Sequence, residues 1–292
     1  QQSVDENSIA ILPFDDMSEA GDQAYFSDGL AEELLNLLAK LPELKVASRT
    51  SSFSFRDAGT DIRTIAAQLG VRYILEGSVR KQADRIRITT QLIDAETDFH
   101  LWSEVYEREQ NDVFAIQDDI ARNVVSALKL VISNQSETVL SRKSTENIDA
   151  FEAYLRGRSF LRMSPSGETL ASAEASFRKA IEFDANYADA HAGLCDTYRE
   201  RFQVTHDKTA FDSAEVACDR ALVLNPREPL VLMSLGQLDL LSGEDFRAEQ
   251  NFLRAIELDD RAAEAYDGLA RTYEHQNRLD DARIAFQRAI DI

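Results

Sequence analysis

The final thirty residues of the chain carry a pattern of large and small apolar side chains that constrains the fold more than any other feature. The pattern consists of Tyr266, Leu269, Ala270, Tyr273, Ala282, Phe286 and Ala289. Moving back 34 residues gives Leu232, Leu235, Gly236, Asp239, Ala248, Phe252 and Ala255, the same pattern with one polar exchange. Residues at these spacings share one helix face, so the pattern predicts two short helices packed face to face. The recurrence predicts a repeating unit.

Two further copies lie upstream and contain insertions. One copy has His191, Leu194, Cys195 and Tyr198, then seven extra residues, then Ala214, Cys218 and Ala221. The other has Ala153, Gly157, Phe160, Ala173, Phe177 and Ala180, with about four extra residues between its helices. The spacing resembles the tetratricopeptide (TPR) repeat, a helix pair of about 34 residues. The resemblance implies an all-α solenoid of four helix pairs over residues 150–292, with an enlarged connection at Gln203–Phe211. Such arrays are interaction scaffolds.

Residues 1–133 show a different pattern, in which short apolar runs alternate with amphipathic segments. The predicted strands are Ser8–Phe14, Leu44–Ser48, Val71–Arg80, an alternating segment after Asp84, and Phe99–Tyr106, with the first as the central strand. Two helices are predicted to be capped by Asp28 and Asp61. The last helix follows the stripe Val113, Ile116, Ile120, Val124, Leu128 and Val131. The order βαβαβββα predicts an α+β domain, a mixed sheet with helices packed on it.

Four segments of this domain resemble, in order, the TolB-amino-terminal-like domain, which is related to the flagellar FlgO family. They are SIAILPF, YFSDGLAEELLNLLAKLPELKVASRTSSFSF, LGVRYILEGSVRKQADRIRITTQLIDAETDFHLWSEVYER and DVFAIQDDIA. Asp98 stands where the family usually has glycine, but aspartate tolerates the left-handed turn conformation, so we expect the hairpin to form. In bacteria this domain, followed by TPR repeats, typically accompanies a class III adenylate cyclase domain or a CadC-type winged-helix DNA-binding domain. A single membrane helix often lies between them.

The domain boundaries follow from these patterns. The TolB-amino-terminal-like domain is expected to cover residues 1–133, and the array residues 150–292. Residues 134–149 lose the apolar periodicity and are interpreted as a linker.

Composition argues against several functional classes. The chain has 32 Lys and Arg against 52 Asp and Glu, a net charge of −20, so nucleic-acid binding by this chain is not expected. No apolar run approaches the roughly 18 residues of a membrane helix. A membrane would therefore be reached only through a segment outside this sequence. The common phosphate-binding, metalloprotease and hydrolase motifs are absent, so the sequence predicts no enzyme activity and no cofactor. The four histidines lie far apart, and we predict no metal site.

Two small sites follow from local patterns. Cys195 and Cys218 occupy facing positions of one helix pair and are expected to be neighbours, either as a disulfide or as two buried thiols. Arg49, Thr50 and Ser51 follow a predicted strand, where a ligand or anion could bind. The alternative is a turn that satisfies its own backbone groups.

The main candidate site is the inner surface of the array. In the TPR family this surface is lined by fixed positions of each first helix. Those positions hold Leu230, Met233, Gln237, Leu240, Leu241 and Arg271. Four apolar residues on a face expected to be wet indicate either burial by another part of the chain, such as Gln203–Phe211, or an apolar recognition patch. The acids Asp196, Glu200, Asp267 and Glu274 flank the patch, so its partner would be hydrophobic with basic flanks.

Two functional hypotheses result. The first is a non-catalytic sensory and protein-interaction region of a bacterial signalling protein, the regulatory half of a membrane-anchored adenylate cyclase or transcriptional regulator. A protein or peptide would bind in the groove, and the chain could form a homodimer. The second is a free-standing assembly scaffold of the envelope. The resemblance implies a location on the periplasmic side of the inner membrane, with the cytoplasm as the alternative.

Overall fold

The chain forms two compact units, Gln1–Ile148 and Asp149–Ile292. The computed structural model describes residues 5–56, 59–109, 112–130, 132–133, 136, 140, 144–260 and 262–292. The second unit begins one residue before the predicted start of the array. Half of the predicted linker, residues 134–149, lies outside the described residues.

A mixed sheet forms the centre of the first unit, as predicted. Its strands are β1 (Ser8–Ile11), β2 (Asp15–Asp16), β3 (Lys45–Val46), β4 (Tyr73–Gln82), β5 (Arg85–Asp94) and β6 (Phe99–Glu109). The order is β3-β1-β4-β5-β6, and β2 pairs with β4 beyond the end of β1. The pairs of β1 with β3 and β4 are parallel, whereas β4, β5 and β6 are joined by antiparallel pairing. The prediction that β1 is central was wrong, because the β5 and β6 strands extend the sheet beyond β4.

Helices cover this sheet. They are α1 (Ala24–Ala39), α2 (Arg49–Phe53), α3 (Ile62–Leu69) and α4 (Val113–Ala127). Asp61 caps α3 by accepting a hydrogen bond from the Thr64 backbone, and Gly70 ends it in the left-handed conformation, as predicted. The buried stripe of α4 includes Val113, Ile116, Ile120 and Val124. Val131 lies outside the described residues.

Asp28 does not cap α1, contrary to the prediction. The helix begins four residues earlier, because Phe26 extends the buried apolar stripe of Leu30 and Leu34. The Gln23 backbone N–H donates instead to Asp16 Oδ2 at 2.8 Å, so the acceptor at this helix terminus comes from β2. Asp28 lies inside the helix, where its carboxylate contacts Arg56.

Hairpins join β4 to β5 and β5 to β6, and β4 begins two residues later than expected. Ala83 and Asp98 take the left-handed conformation, with φ of 50° and 64°. The alternating segment after Asp84 forms β5, and its residues Ile86, Ile88 and Leu92 are fully inaccessible to solvent. Asp98 therefore forms the turn that glycine usually forms in the resembled family.

In its described residues, the second unit is a helical solenoid of four antiparallel helix pairs. The helices are α5 (Ile148–Leu161), α6 (Gly167–Phe183), α7 (Ala188–Thr205), α8 (Lys208–Leu224), α9 (Pro229–Ser242), α10 (Asp245–Leu258), α11 (Ala263–His275) and α12 (Leu279–Asp291). The predicted enlarged connection at Gln203–Phe211 was wrong. Its residues lengthen α7 and α8, leaving only His206 and Asp207 between them. The Phe202 and Phe211 rings pack at 5.3 Å, which favours continued helix on both sides.

A buried phenylalanine joins successive pairs of the solenoid. Phe252 of α10 packs between two glycines, Gly236 of α9 and Gly268 of α11. A Cβ added to Gly236 would lie 2.8 Å from the Phe252 ring, and one added to Gly268 would lie closer still. Phe177 occupies the same position between Gly157 and Gly193. The small residues of the repeat pattern are therefore required where helices approach an aromatic ring.

Candidate functional site

Three of the six residues predicted for the inner surface of the array meet at one cavity. Leu240 and Leu241 end α9, and Arg271 lies on the neighbouring α11. The cavity has a volume of about 570 Å³ and is lined by Leu240, Leu241, Arg271, Glu274, His275 and Phe286. Leu230, Met233 and Gln237 lie further back along α9 and do not line it. The six residues that do line the cavity are called the α9–α12 site.

Met233 and Leu240 are half-buried by neighbouring helices. Met233 packs against a cluster formed by Leu232, Ala255, Ala262 and Ala265. Leu240 packs against Ala248, Phe252 and Leu269. Part of the predicted apolar patch is therefore core, covered by α10 and α11. Leu241 keeps 39% of its surface exposed, so it is the apolar residue of the patch most open to a partner.

The charged groups near the α9–α12 site are partly paired. Arg271 Nε contacts Asp267 Oδ2 at 2.8 Å, and His275 Nδ1 lies 3.4 Å from Asp245 Oδ1. Glu274 is an exposed acid of the lining. The site thus combines leucine and phenylalanine surface with a carboxylate at its margin.

Asp196 and Glu200, two further acids predicted to flank the patch, contact the Arg199 guanidinium instead, at 3.7 and 2.8 Å. One of their two negative charges is therefore balanced within α7. The acids left at the α9–α12 site are Glu274, which lines it, and Asp267, which is paired with Arg271.

Sequence reasoning missed His275 and Phe286 as lining residues. The repeat contained a signal for His275, which stands 34 residues after Leu241 and so occupies the equivalent position of the next pair. Phe286 corresponds to Phe252 and was interpreted only as a packing residue.

A buried carboxyl lies directly before the site. Asp239 is 4% exposed and stands where the second and fourth pairs have Tyr198 and Tyr273. Its oxygens contact Arg247 at 3.2 Å and accept a hydrogen bond from Asn251 at 2.8 Å. Burial nevertheless raises the pKa of Asp239, because removal of the carboxylate from water outweighs the contact with the exposed Arg247.

Asp239→Asn is expected to stabilise the array at neutral pH. A carboxyl whose pKa is raised on folding contributes most to stability below its unfolded pKa, and this contribution is lost as the pH rises through the folded value. The free energy of unfolding of Asp239→Asn, relative to that of the wild type, should therefore increase from acidic to neutral pH. Urea unfolding at a series of pH values measures it, with Asp219→Asn at an exposed position as the control. If the two proteins differed in free energy of unfolding by the same amount at every pH, the raised pKa would not be the cause.

Cys195 and Cys218 form a disulfide that joins α7 to α8, and their Cα atoms are 5.2 Å apart. Both residues are fully buried. They occupy the positions of Gly236 and Phe252 in the following pair, so a covalent bond replaces the contact between ring and glycine.

Arg49, Thr50 and Ser51 lie in the short helix α2. Ser48 caps this helix, and its Oγ accepts from the Ser51 backbone at 3.2 Å. Arg49 donates to the buried Glu32 at 2.7 Å and lies over the Phe53 ring. The polar groups of this segment serve the domain itself, and a ligand there stays a prediction.

A second cavity, of about 610 Å³, was not predicted. It lies among α6, α7 and α8 and includes Arg178, Tyr198 and Val216 in its lining. Arg178 and Tyr198 are hydrogen-bonded to Glu174 at 2.9 and 2.7 Å. None of the six residues predicted for the inner surface lines this cavity, so we regard the α9–α12 site as the stronger candidate. The sequence feature that distinguishes α7 and α8 from the other pairs is their seven-residue insertion.

Within the described part of the chain, no cluster of three or more His, Cys, Asp or Glu residues is arranged to hold a metal ion. Nor does any described helix have the length and hydrophobicity needed to cross a bilayer.

Known families match both units. Residues 5–123 match the family model described as the second domain of HilA/YgeH-like transcriptional regulators. Residues 263–292 match the tetratricopeptide repeat. The TolB-amino-terminal-like assignment stays a prediction, because the matching model carries a different description.

One curated relative is the putative adenylate cyclase 3 of Rhizobium meliloti (strain 1021). It is 40% identical over 189 residues, which are 64% of this chain and 32% of the relative. The chain thus spans about a third of the length of the curated relative that it matches.

Among solved structures, a thermophilic TPR protein of Thermus thermophilus is 21% identical and has a TM-score of 0.45; the match covers 62% of this chain and 87% of that one. TolB of Acinetobacter baumannii is 16% identical with a TM-score of 0.33, covering 44% and 30% of the respective chains. The protein therefore combines a domain similar to the second domain of HilA/YgeH-like regulators with a TPR-like solenoid.

Proposed function

We propose that this chain is the non-catalytic sensory and protein-interaction region of a bacterial signalling protein. The observation that carries the proposal is the α9–α12 site, where Leu240, Leu241 and Phe286 meet on an array of a type that serves as an interaction scaffold. Partner binding at this surface would change the association or orientation of an attached effector.

The effector is either an adenylate cyclase or a transcriptional regulator. The relative named as a putative adenylate cyclase supports the first alternative. The match to a domain of HilA/YgeH-like transcriptional regulators supports the second. In both cases the effector lies outside the residues of this chain, and a membrane would be reached through a segment that is likewise outside it.

We place this region on the periplasmic side of the inner membrane. The support is the Cys195–Cys218 disulfide, since structural disulfides persist in oxidising compartments such as the periplasm.

The partner is a segment with an apolar centre and basic flanks. Leu241 and Phe286 offer apolar surface, while Glu274 and the net charge of −20 favour positive charge beside it. Such a segment would bury its centre against leucine and phenylalanine and place its flanks near carboxylates.

The test uses two fluorescein-labelled peptides with the same leucine-rich centre, one flanked by lysines and the other by glutamates. We expect the lysine-flanked peptide to bind at least about tenfold more tightly in an anisotropy titration, which corresponds to about 1.4 kcal/mol. Equal affinity for both peptides would contradict the proposed charge preference.

Leu241→Asp is expected to weaken binding of the lysine-flanked peptide about tenfold, because burial of a leucine contributes about 1.5–3 kcal/mol. The matched control is Val223→Asp, which changes another exposed apolar residue on α8, outside both cavities. An equal effect of the two substitutions would count against the α9–α12 site. Unchanged far-UV circular dichroism of both variants shows that the array is folded.

A further inference from the structure

The strand β6 forms one edge of the sheet in the first unit. It is 11 residues long and pairs with β5 along one side. Among the described residues no strand pairs with its other side. Alternate residues of β6 therefore direct their backbone N–H and C=O groups away from the sheet, where another strand could pair with them.

Exposed apolar side chains are concentrated on this edge. Phe99, Leu101 and Val105 are 72%, 43% and 47% exposed. In the described part of the first unit, Met17 is the remaining large apolar residue with comparable exposure. Proteins commonly protect a free edge with lysine or proline, and β6 contains neither. The edge thus offers both backbone groups and apolar surface.

The charge pattern of β6 favours a second copy of this chain in antiparallel orientation. A parallel strand in register would place Glu104, Glu107 and Glu109 beside their own equivalents, which is unfavourable. An antiparallel copy centred on Ser103 instead places Leu101 opposite the partner's Val105. It also places Glu104 opposite the partner's Trp102 and Glu107 opposite the partner's Phe99, so these glutamates do not face each other. Each contact occurs twice because the arrangement is two-fold symmetric.

We propose that the chain dimerises by antiparallel pairing of β6 with β6 of a second copy, with the two-fold axis at Ser103. The pairing deepens the proposed function, because association between protomers is one way for a signal to reach an effector. It does not require the α9–α12 site, so it can be tested separately from peptide binding.

Cysteine cross-linking tests the register. In a dimer centred at Ser103, the Ser103 residues of the two copies face each other. Their Cα atoms would lie about 4.5–5.5 Å apart, within the range for a disulfide. The two Glu107 residues would lie roughly 26 Å apart, at about 3.3 Å per residue. We expect Ser103→Cys to give a covalent dimer on mild oxidation and Glu107→Cys to remain monomeric. Cross-linking of both variants, or of neither, would overturn the antiparallel arrangement.

Sedimentation equilibrium tests whether the β6 edge forms the dimer contact. Val105→Lys places a charge on the edge and is expected to raise the dimer dissociation constant at least about tenfold. The matched control is Met17→Lys, which changes an exposed apolar residue of the same unit away from β6 and should leave the constant unchanged. A monomeric wild type at all soluble concentrations, or a dimer equally sensitive to both substitutions, overturns the proposal. Normal peptide binding in the same preparation would show that the α9–α12 site is unaffected by that failure.

Discussion

Phe252→Ala is expected to lower the free energy of unfolding of the array by about 3–5 kcal/mol, the range for removing a buried aromatic side chain. The Phe252 ring is fully buried and packed between Gly236 and Gly268, which come from two successive helix pairs. The cavity left behind would lie where these pairs join. Because each pair of a solenoid is stabilised mainly by its neighbours, the loss should weaken cooperativity along the array.

The measurement can separate the two units of the chain. The single tryptophan, Trp102, lies in β6 and reports on the first unit, whereas far-UV circular dichroism reports mainly on the helical array. We expect Phe252→Ala to shift the circular dichroism transition in urea and to leave the Trp102 transition in place. Phe246→Ala is the matched control, because Phe246 lies on the same helix and is 70% exposed. A similar loss of unfolding free energy in Phe252→Ala and Phe246→Ala would contradict the role of Phe252 in packing.

Removal of the disulfide is expected to destabilise the array by about 3 kcal/mol. The bond closes a loop with a sequence separation of 23, and constraining such a loop in the unfolded chain contributes about this amount. The double variant Cys195→Ala/Cys218→Ala and the reduced wild type should lose similar stability in urea unfolding. No loss in either protein would show that the bond contributes little.

The repeat equivalence allows a sharper version of this experiment. Cys195, Cys218 and Ser234 occupy the positions of Gly236, Phe252 and Gly268 in the following pair. The triple variant Cys195→Gly/Cys218→Phe/Ser234→Gly should therefore rebuild the contact between ring and glycines. We expect it to exceed the double alanine variant by about 1.5–3 kcal/mol, the value of burying a phenylalanine. The variant that retains Ser234 should gain less, because its side chain occupies the space of the ring.

The array could be predicted in detail because its packing rule repeats in the sequence. Phe177 and Phe252 need small partners on the facing helices, and this requirement recurs in the first and third pairs. The lengthening of α7 and α8 could not be predicted in this way, because an insertion within one repeat has no equivalent in the others. Whether the added residues form a loop or continue a helix depends on contacts such as that between Phe202 and Phe211.

The first unit shows where local patterns were insufficient. Asp61 caps α3 three residues from its hydrogen-bond donor, so a local pattern was sufficient to predict the cap. The N-terminus of α1 is bound by Asp16, whose position depends on pairing between β2 and β4. No pattern near Gln23 indicates that contact, so the cap of α1 was predicted at Asp28 instead.

The candidate site was predictable only in part for a similar reason. Repeat positions identified Leu240, Leu241 and Arg271, which do meet at the cavity. They could not show how much of Met233 and Leu240 the neighbouring helices cover, because burial depends on how closely α10 and α11 approach. The residue most open to a partner, Leu241, could not be distinguished from its neighbours until the helices were placed.

Photo-cross-linking tests whether a partner binds at the α9–α12 site. The lysine-flanked peptide would carry a benzophenone side chain in its apolar centre, and mass spectrometry would identify the protein residues that it modifies. The account predicts modification of Leu240, Leu241, His275 or Phe286. Modification confined to the second cavity, at residues such as Leu194 and Val216, or spread without preference over both units, would contradict it.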